Sequence, residues 1–251
     1  MSAAARTPLR IEDRGGYVLA TLDRPEKRNA IDQDLIDALH ALCAELEREP
    51  RTLILRGEGS SFAAGADIAQ LRERRAADAR AGINTHAFTR VAELPMPVIA
   101  VLDGHALGGG AELAYAADIR LGTPALRIGN PETGLGIIAA AGASWRLREL
   151  VGAPLATEML LAGRVLNGEE AFAAGLITHL HETADEAFAT AETIAGRIAK
   201  LDPEATRATK RVLRAPIDAH PAIDLAEQAV LFESPEKMRR MTEFLERKKT
   251  K

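Results

Sequence analysis

Two glycine-rich turns are the segments of this chain whose residue types and spacing best suit a catalytic or ligand-binding role. The first is Ala64-Gly65-Ala66-Asp67 and the second is Gly108-Gly109-Gly110, and each lies between a short apolar run and the start of a helical pattern. A helix start presents unpaired backbone N–H groups with a partial positive charge, and small residues let a ligand approach them closely. If the turns face each other, the N–H groups of Ala66 and Gly109 can donate to one oxygen, which would make an oxyanion hole for a carbonyl that becomes an enolate. The alternative for each turn is a purely structural tight connection.

Two glutamates lie close to such turns in the sequence. Glu112 stands in the first turn of a predicted helix, between Ala111 and Leu113. Burial of an unpaired charge is costly, so this carboxylate is either catalytic or stabilised by the helix N-terminus, and both readings remain open. Glu132 follows Pro131 in another turn, and from spacing alone we expect an exposed loop acid. The two can act together only if the chain folds back between them.

Other motifs for cofactor or metal chemistry are incomplete. Gly57-Glu58-Gly59 follows a predicted strand, but Phe62 occupies the position of the last glycine in the dinucleotide fingerprint. Cys43 is the one cysteine of the sequence, and it falls in a helical run of apolar residues, which predicts a buried side chain. His179 and His181 stand beside an acidic residue without a third histidine nearby, which favours a strand or loop end over a metal site. We therefore predict no metal.

The apolar pattern predicts the elements that must position these residues. Short strands are expected at residues 9–12, 17–22, 52–56, 98–102, 118–121 and 125–128, and helices at residues 33–47, 71–81, 85–94 and 111–117. After residue 144 the pattern is helical, with breaks at glycine and proline. Strands that alternate with helices, followed by helices alone, predict an α/β core at residues 1–195 and a helical region at residues 196–251.

The composition excludes several classes of protein. The chain has 251 residues, 47% of them hydrophobic and 27% charged, which is typical of a globular protein and not of a disordered one. Its formal net charge of −4 disfavours a general nucleic-acid binder, and the basic run at residues 72–75 is interleaved with Glu73, as on a solvated helix face. The sequence shows no secretory signal and no apolar stretch long enough to span a bilayer. We expect a soluble, cytoplasmic protein.

Several segments, in order along nearly the whole chain, resemble the crotonase family, the enoyl-CoA hydratase/isomerase superfamily. They are residues 22–30 (LDRPEKRNA), 62–68 (FAAGADI), 97–101 (PVIAV), 106–113 (ALGGGAEL) and 244–248 (FLERK). The resemblance implies an α/β fold in which a crotonase-like spiral of ββα turns precedes a C-terminal helical region used for trimerisation. Two such trimers often stack into a hexamer.

The same resemblance implies a chemistry for the candidate residues. Family members bind acyl-CoA thioesters and stabilise an enolate between two backbone N–H groups, which fall here on Ala66 and Gly109. The hydratase pattern has a Glu just after the triple glycine and a second Glu about 20 residues later, and Glu112 and Glu132 match both. This implies addition of water to a trans-2-enoyl-CoA, with Glu112 as the base and Glu132 as the donor of a proton to C2. Members that shift a double bond often keep one acid, so an isomerase, or another acyl-CoA reaction of this family, is the alternative.

The resemblance also assigns a binding surface for the coenzyme A part of the substrate. It comprises Arg24, Lys27, Arg28, Ala64, Asp67 and Ile68. Lys27 or Arg28 would meet the phosphates, and a solvated charge is the alternative for each. Neither a metal nor a redox cofactor is implied, because coenzyme A enters as part of the substrate. The implied partners are the acyl-CoA and further copies of this chain, and no nucleic acid or membrane.

One segment departs from the family pattern. Ala139 stands where Pro is usual, Ala140 and Ala143 stand where Gly is usual, and Trp145 replaces a polar residue. The resemblance places this segment beside the acyl pocket and the water site, so the added Cβ atoms are expected to narrow the pocket or change its backbone. Neither the length nor the branching of the acyl chain follows from the sequence.

Overall fold

The computed structural model describes residues 7–249, and two β-sheets form the framework of this part of the chain. The strands are β1 (Leu9–Asp13), β2 (Tyr17–Leu22), β3 (Thr52–Gly57), β4 (Ser61–Ala63), β5 (Val98–Leu102), β6 (His105–Leu107), β7 (Ile119–Gly122), β8 (Arg127–Gly129), β9 (Val165–Asn167) and β10 (His179–Leu180). The first sheet has the order β1-β2-β3-β5-β7-β10 and the second has the order β4-β6-β8-β9.

The helices connect and cover these sheets. They are α1 (Gln33–Arg48), α2 (Ile68–Glu73), α3 (Ala76–Ala81), α4 (Ile83–Ala92), α5 (Gly109–Ala116), α6 (Arg148–Val151), α7 (Ala153–Leu161), α8 (Gly168–Ala173), α9 (Ala184–Ile198), α10 (Pro203–Arg214), α11 (Ala222–Phe232) and α12 (Pro235–Lys249). By its internal contacts the chain divides into two compact units, Met1–Gly196 and Arg197–Lys251.

The first unit is a spiral in which successive strands alternate between the sheets. β3, β5 and β7 lie parallel in the first sheet, while the strands that follow them, β4, β6 and β8, lie parallel in the second. All residues of β2 and β5 are buried, which explains why β5 is a continuous apolar run and why β2 is apolar except for Thr21. Because each turn of the spiral ends on the second sheet, the turns before α2 and α5 are brought to neighbouring positions.

Helix α1 shows how local sequence sets an element. The side chain of Asp32 accepts a hydrogen bond from the N–H of Leu35 at 3.0 Å and so caps the helix. Apolar residues at helical spacing form its buried face, and Cys43 is among them, as predicted. Burial raises the pKa of the Cys43 thiol to about 12, so the thiolate needed for nucleophilic chemistry is absent near neutral pH.

The structure corrects two expectations about the elements. The single helix expected at residues 71–81 is wrong: the chain breaks between α2 and α3, where the carboxylate of Asp78 accepts a hydrogen bond from the N–H of Arg75 at 2.7 Å. The region after residue 144 is not helical throughout, because β9 pairs antiparallel with β8 and β10 pairs parallel with β7. Strands of two or three residues carry too few side chains to show a period.

The second unit contains α10, α11 and α12. Asp202 caps α10 by accepting a hydrogen bond from the N–H of Ala205 at 2.9 Å, and α11 buries none of its residues. Large apolar side chains of this unit are exposed, among them Leu213, Ile217 and Val230. Between residues 7 and 249, no helix combines the length and the apolar character that a bilayer crossing needs.

The close packing of α5 on β4 generates a stability prediction. A Cβ atom on Gly110 would lie 2.1 Å from the carbonyl oxygen of Ala63, and both groups belong to the backbone of regular elements. Gly110→Ala is therefore expected to lower the free energy of unfolding by about 2–3 kcal/mol, as overpacked cores do. Urea unfolding at one fixed protein concentration measures it.

Gly196→Ala is the matched control for this substitution. Gly196 lies within α9, and a Cβ atom there meets nothing within 4 Å. The control is expected to leave stability unchanged or raise it by up to about 1 kcal/mol, because alanine is the better helix former. Equal stability of the Gly110→Ala protein and the wild type would contradict the packing described here.

Candidate active site

The four residues predicted to do the chemistry line one cavity. This cavity has a volume of about 520 Å³, and its wall includes Ala66, Gly109, Glu112 and Glu132. They come from three segments of the chain, namely the turn before α2, the start of α5, and the turn after β8. The condition that the chain folds back between the two glutamates is therefore met.

Two backbone N–H groups in the wall have no acceptor among residues 7–249. Ile31 and Ala66 form a parallel bridge in which the N–H groups of Ile31 and Asp67 donate, so the N–H of Ala66 is not used. Gly109 is the first residue of α5 and its N–H has no intrahelical acceptor. Within residues 7–249 neither group donates a hydrogen bond. A Cβ atom on Gly109 would lie 3.7 Å from the nitrogen of Ala66, so the two donors are neighbours.

Glu112 is buried on α5, with 3% of its surface exposed. Its Oε1 atom accepts hydrogen bonds from the N–H groups of Ala141 at 2.6 Å and Ala143 at 3.2 Å. The carboxylate is thus bound by a distant segment, and not by the N-terminus of its own helix as one reading of the sequence proposed. The pKa of Glu112 is raised to about 7. Burial is the main cause and the nearby Glu132 carboxylate adds to it, while the two N–H donors and Arg146 oppose the rise.

Glu132 begins a short helical turn, Glu132–Leu135, and is 9% exposed. The expectation of an exposed loop acid, drawn from spacing alone, is therefore wrong. Its Oε1 accepts a hydrogen bond from the side-chain amide of Asn130 at 3.4 Å. Its buried Oε2 has no hydrogen-bond partner among the residues that the structure describes. Burial is the main cause that raises the pKa of Glu132 above that of an ordinary glutamate.

Two positioning residues were not predicted from the sequence. The Tyr115 hydroxyl donates a hydrogen bond to Oδ1 of Asn130 at 3.1 Å, and Asn130 in turn contacts Glu132. Tyr115 lies three residues after Glu112 on α5, a spacing that places both on the same side of a helix. This spacing was a usable signal for Tyr115, but Asn130 carried none beyond its place in a turn.

The segment that departs from the family pattern contacts the site through its backbone. Ala140 lines the cavity, and its carbonyl oxygen accepts a hydrogen bond from the Thr85 hydroxyl at 3.1 Å. Ala143 is fully buried and supplies one of the two donors to Glu112. Ala139 packs against the core, whereas Trp145 is 42% exposed with the Arg146 guanidinium over its ring. Of the four departures, Ala140 is the residue that lines the cavity.

The six residues predicted to bind the coenzyme A part lie outside the wall of this cavity. Arg24 forms an ion pair with Asp32 and donates to the carbonyl of Ala30 at 3.0 Å. Asp67 caps α2 by accepting from the N–H groups of Ala69 and Gln70. Both side chains thus have partners within the protein.

The other four residues of that surface differ in exposure. Lys27, Arg28 and Ile68 are exposed, and Ala64 is half-buried. The contact of all six residues with coenzyme A stays a prediction.

No cluster of three or more His, Cys, Asp or Glu side chains suited to a metal ion occurs in the part of the chain that the structure describes. His179 and His181 stack with their ring centroids 6.1 Å apart, and His179 lies in the edge strand β10. The pair is therefore at a strand end, as the sequence favoured.

Comparison with known proteins decides the family. The family model described as enoyl-CoA hydratase/isomerase matches residues 12–251. The chain belongs to this family. The resemblance read from the sequence is confirmed.

Members of the family with known names or structures cover almost all of the chain. This chain is 34% identical to the short-chain-enoyl-CoA hydratase of Clostridium acetobutylicum over 248 residues, an alignment that covers 95% of both chains. It is 33% identical over 237 residues to the crotonyl-CoA hydratase of Syntrophomonas wolfei, covering 91% of both. The crystal structure of an enoyl-CoA hydratase from Bacillus anthracis superposes with a TM-score of 0.90 at 27% identity, covering 96% of both chains. The predicted crotonase-like fold is thereby confirmed.

The raised pKa of Glu112 predicts how stability depends on pH. Between the pKa of an ordinary glutamate and about 7, the folded chain holds a proton on Glu112 that the unfolded chain has released. Folding is therefore favoured at low pH, and this contribution of about 3 kcal/mol is lost as the pH rises through about 7. In Glu112→Gln the contribution is absent, so from pH 4.5 to pH 8 the variant gains about that much stability relative to the wild type. Urea unfolding at a series of pH values measures it.

Glu93→Gln is the control, because Glu93 is exposed on the same unit. Its curve of unfolding free energy against pH is expected to run parallel to that of the wild type. A Glu112→Gln curve that also runs parallel would show that Glu112 titrates as an ordinary glutamate.

Proposed function

We propose that this chain is an enoyl-CoA hydratase, which adds water reversibly to a trans-2-enoyl-CoA and gives a 3-hydroxyacyl-CoA. The observation that carries the proposal is the shared cavity wall. Two buried carboxyl groups, and two backbone N–H groups that find no acceptor in the described part of the chain, line the same space. Each pair supplies one requirement of the reaction: the N–H groups stabilise a negative oxygen, and the carboxyl groups move protons.

In the proposed mechanism the thioester oxygen accepts hydrogen bonds from the N–H groups of Ala66 and Gly109. These donors polarise the conjugated double bond and stabilise the enolate oxygen that forms when water attacks C3. The support for this step is that both donors are unpaired and adjacent. Because they belong to a bridge and a helix start, they need little rearrangement when charge develops.

The two glutamates share the proton transfers. Glu112 takes a proton from the water that attacks C3, and Glu132 gives a proton to C2; in dehydration the roles reverse. The support is that both carboxyl groups line the same cavity and that burial raises the pKa of each above that of an ordinary glutamate, to about 7 for Glu112. Oε2 of Glu132 has no hydrogen-bond partner among the described residues, which suits an O–H group that donates to the substrate.

The reaction so proposed moves only protons and a hydroxyl group, so it needs neither a metal nor a redox cofactor. The Clostridium relative is named a short-chain-enoyl-CoA hydratase and the Syntrophomonas relative a crotonyl-CoA hydratase. Crotonyl-CoA is therefore the first substrate to test. The cytoplasmic location expected from the sequence stays a prediction.

Glu132→Gln is expected to lower kcat for hydration of crotonyl-CoA by about 10²–10⁴, because a neutral amide cannot give a proton to C2. Loss of the absorbance of the conjugated thioester measures turnover. The variant should keep the circular dichroism of the wild type and still bind butyryl-CoA, and Glu93→Gln should retain full activity.

Two outcomes would count against this mechanism. Wild-type turnover by Glu132→Gln would remove Glu132 from the reaction. A wild-type protein that leaves crotonyl-CoA unchanged but converts a 3-enoyl-CoA to the 2-enoyl isomer would be an isomerase.

We also propose that the second unit joins copies of this chain into a trimer or a dimer of trimers. The support is the set of exposed apolar side chains on its helices, since such surface is usually covered by a partner. Leu213→Glu, at a side chain 79% exposed on α10, is expected to shift the mass measured by light scattering toward the monomer. Leu161→Glu is the control, because Leu161 is 75% exposed but belongs to the first unit. A wild-type protein with the mass of one chain would contradict the proposal.

A further inference from the structure

Two arginines line the cavity that holds the acids. Arg74 and Arg75 stand at the break between α2 and α3, and both contribute to the wall of this cavity. Much of the remaining wall is apolar, with Leu71, Ile83 and Ile138 among its side chains. A hydrocarbon acyl chain would contact only the apolar part of this wall, so the two arginines must have another role.

Arg74 is a half-buried cation that has no carboxylate partner in the part of the chain that the structure describes. Its Nη1 donates to the side-chain oxygen of Asn84 at 3.2 Å, a neutral acceptor. Within residues 7–249 no carboxylate oxygen lies within ion-pair distance of its guanidinium. The comparably buried Arg24 and Arg51, in contrast, form ion pairs with Asp32 and Asp13. A guanidinium keeps its charge and offers five N–H donors, so that of Arg74 has donors to spare for a ligand.

The neighbouring charges do not neutralise Arg74. The guanidinium of Arg75 donates to the carbonyl oxygens of Arg72 and Arg74 and lies on the more exposed side. Asp78 also lines the cavity, but its Oδ2 accepts the backbone N–H of Arg75 and so caps α3. Two cations and one anion leave this part of the wall positive.

Arg74 is also close to the proposed thioester site. Its partner Asn84 has its amide nitrogen 3.5 Å from where a Cβ atom on Gly109 would lie. One side chain thus separates the Arg74 guanidinium from the residue that supplies an oxyanion N–H. An anion bound by Arg74 would lie a short chain length from the thioester.

We propose, on the basis of the proposed function, that the acyl group hydrated by this chain is short and ends in a carboxylate, which Arg74 binds. The substrate class is a trans-2-enoyl thioester of coenzyme A derived from a dicarboxylic acid. The carboxylate accepts two parallel N–H bonds from the guanidinium, the geometry in which arginine binds such groups best. The phosphates of coenzyme A are anions that could bind the same donors, so the test must distinguish the two sources.

The test compares two substrates of the same shape. Glutaconyl-CoA carries a terminal carboxylate, and 5-methylhex-2-enoyl-CoA carries an isopropyl group in its place. The wild type is expected to hydrate glutaconyl-CoA with the higher kcat/KM. Arg74→Met should lower kcat/KM for glutaconyl-CoA roughly 10- to 100-fold and leave that for the neutral substrate within about twofold. Arg74→Lys, which keeps the charge but loses the paired donors, should recover part of the loss.

Arg72→Met is the matched control, because Arg72 belongs to the same basic run, has a side chain 81% exposed, and is not part of the cavity wall. It should leave both substrates unchanged. Equal losses on both substrates in Arg74→Met, with weaker inhibition by free coenzyme A, would show that Arg74 binds the phosphates and would overturn the proposal. Hydration of both substrates by the wild type with equal kcat/KM would overturn the carboxylate site as well, while supporting the proposed hydratase function.

A binding measurement tests the carboxylate site independently of whether the chain is a hydratase. Isothermal titration calorimetry with glutaryl-CoA and 5-methylhexanoyl-CoA measures the preference for a carboxylate even if no hydration occurs. Tighter binding of glutaryl-CoA, lost in Arg74→Met, would support the carboxylate site whether or not the chain is a hydratase. Equal affinity for the two saturated ligands would overturn it.

Discussion

The burial of two carboxyl groups in the wall of one cavity is the feature that the other parts of this structure must accommodate. Glu112 and Glu132 are both removed from water, and the Glu132 carboxylate raises the cost of charging Glu112. Backbone donors from Ala141 and Ala143 reduce this cost for Glu112, and the amide of Asn130 does so for Glu132. The fold therefore holds two acids whose pKa values are raised by burial, at the expense of some stability.

The framework positions these groups through contacts that leave little freedom. Gly110 lets α5 approach the carbonyl of Ala63 so closely that no Cβ atom fits between them. The start of α5 is thereby fixed beside the bridge that positions Ala66. The donors and acids come from three segments of the chain, and each belongs to a bridge, to α5 or to a short helical turn. The site is for that reason formed before any substrate arrives.

Much of this arrangement was predictable because it follows from local sequence and a family pattern. The two turns, Glu112 and the burial of Cys43 could be inferred from residue type and spacing. The burial of Glu132 could not, because its position beside Asn130, which accepts a hydrogen bond from Tyr115 of another element, is a matter of tertiary structure. The place of Arg74 was also missed: the basic run was interpreted as a solvated helix face, and only the break held by Asp78 places it in the cavity wall. Long-range contacts and breaks within a helical run cannot be predicted from the residue pattern of a single sequence.

The segment from Ala140 to Ala143 serves the cavity in two ways at once. Ala140 and Ala141 form part of its wall, while the N–H groups of Ala141 and Ala143 donate to Glu112 and lower its pKa against the effect of burial. A substitution that reshapes this wall for a bulkier acyl group also moves the donors. A change of substrate range through this segment is therefore coupled to a change in the pH dependence of the reaction, so an enzyme that evolves a new substrate by this route also acquires a new pH optimum.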